Sequence, residues 1–256
     1  MQLTVIVPTY NEAENLPRLV SALFALPLPD LKILVVDDNS PDGTGRLADE
    51  LAQGHPDRVS VIHRAGKLGL RTAYLDGFKQ AFAQGAEAVG QMDADFSHDP
   101  NKVVEMAAAL ENADVVIGSR YVPGGSVDER WSLRRKWLST FGNSYAQVIL
   151  GFPLRDVTTG YRMWRRETIE GMPIERIDAS GYIFLVEMVY MAWCLKYRIA
   201  QVPIHFADRQ WGKSKMSFNI QVEAAIRVWL VRWQYRDLRK KGQAGRSPYM
   251  TLVTDP

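Results

Sequence analysis

Apolar residues enter the first half of the chain in short runs separated by stretches of mixed polarity. Leu3 to Val7, Lys32 to Val36, Val59 to His63, Ala88 to Met92 and Val115 to Ile117 are rich in Val, Ile and Leu and read as strands. Between them, Ala13 to Phe24, Arg46 to Ala52, Thr72 to Phe82 and Lys102 to Leu110 carry apolar positions at helical spacing. This βαβα alternation predicts an α/β protein with a mostly parallel central sheet and helices on both faces, nucleotide-binding in outline. The chain shows no internal repeat and no low-complexity tract.

The strand ends carry the candidate chemistry. Asp93 and Asp95 close the run Ala86 to Met92. In an open α/β sheet that end is where ligands bind, and two carboxylates on one turn repel unless a cation neutralises them. Hard ions such as Mg²⁺ take oxygen ligands, often one or two carboxylates plus substrate phosphates. A lone D-x-D also suits a solvated turn, so its neighbours decide. Pro8-Thr9-Tyr10-Asn11-Glu12 follows the first strand, and Val35 to Thr44 (VVDDNSPDGT) closes the second. Tyr10 can lie against a nucleobase, and a carboxylate can accept from a base N–H or a ribose hydroxyl. Turn preference accounts for Pro41 and Gly43. It does not account for acidic clusters ending strands one, two and four, which converge on one sheet edge.

Composition narrows the classes. At 256 residues and 46% hydrophobic content the chain can bury a full core. A net charge of +2 makes no global case for nucleic-acid binding. Cys194, the one cysteine, rules out a disulfide framework and fits buried packing in a reducing compartment. The first strand starts almost at once, which leaves no room for a signal peptide. The longest uncharged run, Trp137 to Leu154, is broken by Ser139, Asn143, Gln147, Gly151 and Pro153, so no membrane span is expected. A soluble or peripheral protein follows.

Six motifs then narrow the reading. PTYNE (Pro8 to Glu12), VVDDNSPDGT (Val35 to Thr44), KLGLRTAY (Lys67 to Tyr74), MDADFSH (Met92 to His98), GSRYVPGG (Gly118 to Gly125) and DRQWGKSKMS (Asp208 to Ser217) together resemble polyprenol or dolichyl phosphate mannosyltransferases. These are inverting family-2 glycosyltransferases with the Rossmann-like GT-A fold. The motifs keep the family's order over about residues 3 to 220; PTYNE and DDxSPDGT mark only the superfamily, while MDADxSH with DRxxGxSK is narrower. The resemblance implies a catalytic domain over 1–217, with an interfacial acceptor-binding segment near 126–152. A basic amphipathic helix over 218–241 and a disordered tail over 242–256 are expected to follow.

Residue by residue, the resemblance implies that Pro8, Tyr10, Glu12, Val36 and Asp38 hold the guanosine of GDP-mannose. Asp93 and Asp95 would bind Mg²⁺ or Mn²⁺ across the diphosphate, with the Ala94 backbone beside the nucleotide. Arg120, Arg209 and Lys215 would meet phosphate oxygens, Arg through paired contacts and Lys as a point charge. Asp95, Arg120 and Arg134 are the expected catalytic groups. The chain also departs from the pattern. Arg71 stands where Gly is usual, Asn39 replaces a common Gly, Ser97 replaces a Gln that serves some relatives as a metal ligand, and Leu185 replaces a frequent Gln. Asn tolerates left-handed turns, so the change at Asn39 is mild.

The second half is expected to serve a lipid acceptor. Trp131 to Leu138 sets Arg134, Arg135 and Lys136 between two tryptophans, a pattern suited to a bilayer surface and equally to a helix docked on its own domain. In the family the matching region grips the lipid phosphate, which makes Arg134 or Arg135 the candidate. Over Ile220 to Lys241, Ile226, Trp229, Leu230 and Trp233 form an apolar face, and Arg227, Arg232, Arg236, Arg239, Lys240 and Lys241 a basic one. Packing explains the apolar face as well as a membrane does; the cationic end fits anionic headgroups better.

A lipid monophosphate is largely dianionic at neutral pH, its second pKa being roughly 6, so it needs no protein base, and His63, His98 and His205 are read as structural or supporting. The preferred reading is mannose transfer from GDP-mannose to a polyprenyl or dolichyl monophosphate, peripheral on the cytoplasmic face of a membrane. The same chemistry with UDP-glucose and a catalytically silent nucleotide-binding partner of a membrane complex compete with it. Recruitment by a separate membrane-anchoring protein stays open, and nucleic acid is not an expected partner.

Overall fold

In the computed structural model of the chain, residues 1–179, 181–208, 218–242 and 250–252 are described. The first half alternates β1 (Leu3–Thr9), α1 (Leu16–Phe24), β2 (Lys32–Asp37), α2 (Thr44–Gly54), β3 (Val59–His63), α3 (Leu70–Ala83), β4 (Ala88–Gln91), α4 (Lys102–Leu110) and β5 (Val115–Ser119). There follow β6 (Ser126–Val127), α5 (Leu133–Leu150), β7 (Arg162–Arg165), α6 (Arg166–Glu170), a 3₁₀ turn (Ile174–Arg176) and α7 (Gly181–Cys194). The chain closes with β8 (Ile199–Pro203), β9 (His205–Phe206), α8 (Phe218–Gln234), α9 (Arg236–Gly242) and β10 (Met250–Leu252).

Eight strands form one sheet in the order β10-β8-β5-β7-β4-β1-β2-β3, and β6 pairs with β9 in a separate ribbon. Among the described strands only β7 runs antiparallel, inserted between β4 and β5. Strands covered on both faces read as continuous apolar runs, and alternate residues here do serve opposite cores. Ile6, Leu34 and Val36 join Tyr74, Phe78, Trp164, Phe184 and Tyr190 on one face. Val5, Val7, Ile33 and Val35 join Leu16, Leu19, Leu23, Val103 and Met106 on the other. Helix α3 lies so close to β1 that a Cβ at Gly77 would stand 2.6 Å from Ile6 Cγ2.

Three details differ from the periodicity. The first helix starts at Leu16 rather than Ala13, because the N–H groups of Asn15 and Leu16 both donate to the Glu12 carbonyl in a turn and Pro17 opens the helix. The helix expected over 218–241 is two, broken at Tyr235. That side chain is fully buried and donates to Glu187 Oε1 at 2.6 Å, while Arg176 pairs with Asp237 at 2.9 Å and docks α9. Within the expected tail, Met250–Leu252 pairs in parallel with β8.

Candidate active site

The loops after β1 and β2 are knotted together by their own polar groups. Asp37 accepts from Thr9 Oγ1 at 2.9 Å, from Ser40 Oγ at 2.6 Å and from the Ser40 N–H at 3.0 Å, and it is 2% exposed. It therefore builds the turn. The N–H groups of Asn11, Glu12 and Ala13 donate across to Ser40 Oγ, Thr44 Oγ1 and Asp42 Oδ2 at 3.1, 2.9 and 3.1 Å. Burial pushes the Asp42 carboxyl up, but the Thr44 hydroxyl and N–H and the Ala13 N–H outweigh it and hold the group below its usual range. Asn11 and Asn39 take left-handed backbone (φ 63° and 58°), which suits the asparagine where relatives carry Gly.

Asp38 faces the other way and meets Arg64, whose Nη1 donates to it at 2.7 Å. Burial raises the Asp38 pKa, and Arg64 offsets only part of that. The Arg64 side chain is 3% exposed and also reaches Gly69 O, Thr72 Oγ1 and, at 3.5 Å, Asp76. No motif marks Arg64; its one signal is a place just past β3, on the same sheet edge. Lys67 Nζ stands 4.0 Å from the centre of the Tyr10 ring. Pro8, Tyr10, Glu12, Val36 and Asp38 thus lie on adjoining strand ends and loops, since β1 and β2 pair directly. Arg71 donates to the Ile177 carbonyl, tying the start of α3 to the segment before α7.

Asp93, Ala94 and Asp95 follow β4, which pairs with β1 on its other side. Asp95 is 6% exposed and its Oδ1 accepts from the Ser97 N–H at 3.0 Å and Ser97 Oγ at 2.6 Å. Ser97, which stands where some relatives have Gln, thus orients Asp95. The Asp93 N–H donates to His98 Nδ1 at 3.1 Å, and the His98 ring stacks on Tyr161 at 4.7 Å. Phe96 supplies the left-handed residue of the turn (φ 58°). Among the described residues no cluster of three or more His, Cys, Asp or Glu could hold a metal ion. Two all-oxygen carboxylates one residue apart fit a hard divalent ion that draws its remaining ligands from a diphosphate.

An aromatic chain leads from the D-x-D turn to the cationic residues. Phe206 on β9 lies edge-on to His98 (5.6 Å) and to Trp131 (5.7 Å), and the Arg120 guanidinium sits 5.2 Å from its centre. Arg120, just after β5, is 7% exposed and makes a paired contact to Asp156, Nε and Nη2 each at 2.7 Å. Although burial alone would raise it, the Arg120 charge and hydrogen bonds hold the Asp156 carboxyl below its usual range. Arg135 stacks on Trp131 at 3.7 Å and pairs with Asp208 at 2.8 Å; Arg134 is exposed at the start of α5. The structure therefore links Asp93, Arg120 and Arg135 through three rings. Arg209 and Lys215 lie outside the described residues.

The two tryptophans flanking the α5 cations differ: Trp131 is buried at 6% exposure and Trp137 is 66% exposed. Trp137 stacks on Phe141, and Phe141 on Tyr145, whose hydroxyl accepts from Trp229 Nε1 of α8 at 2.9 Å. On α8, Val228, Val231 and then Tyr235 face the core, whereas Ile226, Trp229, Leu230 and Trp233 are at least half exposed. The apolar stripe read from the sequence is thus the outer one. Leu133, Trp137, Phe141 and Val148 of α5 are exposed with it, so the paired helices carry most of the exposed large hydrophobic residues described. No described helix is long and apolar enough to cross a membrane.

Residues 4–172 match the family model of glycosyl transferase family 2. The chain is 46% identical over 231 residues to polyprenol monophosphomannose synthase of Mycolicibacterium smegmatis, covering 89% of this chain and 86% of that one. It is 42% identical over 233 residues to undecaprenyl-phosphate mannosyltransferase of Micrococcus luteus, covering 91% and 94%. The mannosyltransferase PcManGT from Pyrobaculum calidifontis, solved with GDP-Man and Mn²⁺, superposes with a TM-score of 0.58 at 18% identity over 96% of this chain and 66% of that one. Glucosyl-3-phosphoglycerate synthase from Mycobacterium tuberculosis gives 0.59 at 17% identity, over 90% and 79%. At such identities the two structures bear on the fold.

Proposed function

The chain belongs to glycosyltransferase family 2, and on that premise we propose that it transfers mannose from GDP-mannose to a polyprenyl monophosphate at a membrane surface. Two relatives above 40% identity named for this chemistry, on polyprenol and undecaprenyl phosphate, support the reading. The observation that carries it is the aromatic chain joining the D-x-D turn to Arg120 and to Arg135 at the head of an exposed apolar helix pair. A nucleotide-binding module alone gives no reason for buried acidic and cationic groups to be tied to a lipid-facing surface.

Tyr10, Glu12 and Asp38 meet the guanosine, with Arg64 setting Asp38 and the Asp37 knot holding the two loops in register. Asp93 and Asp95 would hold Mg²⁺ or Mn²⁺, which supplies positive charge to the departing diphosphate. Arg120, Arg134 and Arg135 lower the repulsion between the donor diphosphate and the incoming lipid phosphate, and Arg209 and Lys215 add to the same field. An oxygen of the lipid phosphate attacks the anomeric carbon; the new C–O bond forms as the bond to the β-phosphate breaks, and GDP leaves. In-line displacement inverts the centre, giving a β-mannosyl phospholipid from an α-linked donor. The acceptor is already ionised, so no protein group removes a proton. The outer face of α5 and α8 rests on anionic lipid, with Arg134 exposed at the start of α5 and Arg236 against Trp233.

Transfer of radiolabelled mannose from GDP-mannose to a short polyprenyl phosphate tests this. Formation of a mannosyl lipid that EDTA stops and Asp95→Ala abolishes is the expected result. Transfer from UDP-glucose alone keeps the chemistry and discards the sugar; silence with every nucleotide sugar refutes the reading.

A further inference from the structure

Resting on the phosphate-binding role just given to Arg120, we propose that Asp156 is the positioning residue of the reaction, fixing the Arg120 guanidinium relative to the D-x-D turn. Asp156 is fully buried and accepts three hydrogen bonds from one residue: the Arg120 N–H at 3.0 Å, Nε at 2.7 Å and Nη2 at 2.7 Å. Nη2 is shared with Thr158 Oγ1 at 2.8 Å. A side-on pair of this kind fixes the plane of the guanidinium as well as its place. Arg120 Cζ lies 5.2 Å from the ring centres of both Tyr121 and Phe206, and Phe206 abuts the His98 that holds the Asp93 N–H.

The segment bearing Asp156 is itself pinned from two sides. Asn143 of α5 accepts from the Val157 N–H at 2.9 Å and donates to Thr158 Oγ1 at 3.2 Å. Arg162 of β7, fully buried, donates to the Val157 carbonyl at 2.7 Å and to the Leu185 carbonyl of α7. Arg162 reaches Asp156 through its field alone, and that field favours the carboxylate. One carboxylate thus feels two buried guanidinium groups, and the three carry one positive charge in excess. A buried ion network of this kind is commonly replaceable by apolar packing without loss of stability, so stability alone is a weak reason for it. A surplus held rigidly beside the D-x-D turn suits an enzyme that must hold two phosphates together.

The full chain is assayed as Asp156→Asn, Thr158→Val, Arg120→Ala and the double variants with Arg120→Ala. Steady-state mannosyl transfer gives kcat and KM, calorimetry gives GDP affinity, and thermal melts report folding. Misplacing one charged group costs on the order of 10- to 100-fold in rate. Asp156→Asn is expected to lose that in kcat with a several-fold smaller loss of GDP affinity, since the guanosine contacts are elsewhere and only the phosphate contact of Arg120 is disturbed. In the Arg120→Ala background the same substitution is expected to cost nothing further, because the group it acts through is gone. Thr158→Val, milder for folding, is expected to show the same pattern at smaller amplitude and decides the matter should Asp156→Asn fail to fold. Losses that multiply with Arg120→Ala, or a kcat unchanged in folded Asp156→Asn, overturn the inference. A wild type unable to transfer mannose fails the functional reading instead, so the two failures are distinct.

Discussion

Replacing Trp137 and Trp233 by alanine separates a membrane-facing surface from an ordinary helix pair. The two side chains are 66% and 67% exposed, so the folded domain gains little from either. An aromatic side chain of this size buries up to about 250 Å², and two thirds of that is roughly 165 Å² left in water. At about 25 cal/mol per Å² its complete transfer to an apolar phase would yield roughly 4 kcal/mol per tryptophan. An interfacial helix sinks only its apolar face to the headgroup boundary, so about half, roughly 2 kcal/mol, is a fair figure for each. Together the two substitutions should weaken partitioning by about 4 kcal/mol, close to three orders of magnitude. Co-sedimentation with vesicles containing anionic lipid measures it, and higher salt should weaken the wild type through its basic residues. The thermal melt should move little, because the stacking of Trp137 on Phe141 is worth about 1.5 kcal/mol at most. Partitioning within threefold of wild type refutes the assignment.

Two further outcomes test the scaffold. A Cβ at Gly125 would lie 2.5 Å from Ser119 O and 2.8 Å from Arg120 C and O, backbone atoms that cannot rotate aside. Gly125→Ala should therefore cost about 1–3 kcal/mol and lower Tm by several degrees, whereas Gly142→Ala, with open space around it in α5, should raise Tm; equal melts for the two would contradict the geometry. Arg176 holds Asp237 at a pKa of about 2, below the ordinary 3.8. Its folded value is the lower one, so the pair stabilises above pH 3.8 and its contribution disappears as pH falls through about 2. With the Asp237 side chain 48% exposed the effect stays below about 1 kcal/mol. Urea denaturation of Asp237→Asn should show a shallower loss of stability over that acid window, and an unchanged slope would discard the pair as a contributor.

The information readable along the chain alone is local. Apolar runs set β1 to β5 because a strand buried on both faces must be apolar throughout, and turn-forming Asp, Asn, Pro and Gly mark where those strands stop. The D-x-D turn was legible because two neighbouring carboxylates need a reason, and the order of the motifs gave the family. Partners distant in sequence were not legible. Arg64 meets Asp38 across 26 positions and Asp156 meets Arg120 across 36, with no spacing rule to announce either pair. Nor does periodicity say that β7 enters the sheet backwards between β4 and β5. On α8 the pattern offers two apolar stripes, and only the packed structure decides that Val228 and Val231 go inward while Trp229 and Trp233 stay out. Hydrophobic periodicity gives a stripe its width and phase; which neighbour covers it depends on chain brought close by folding.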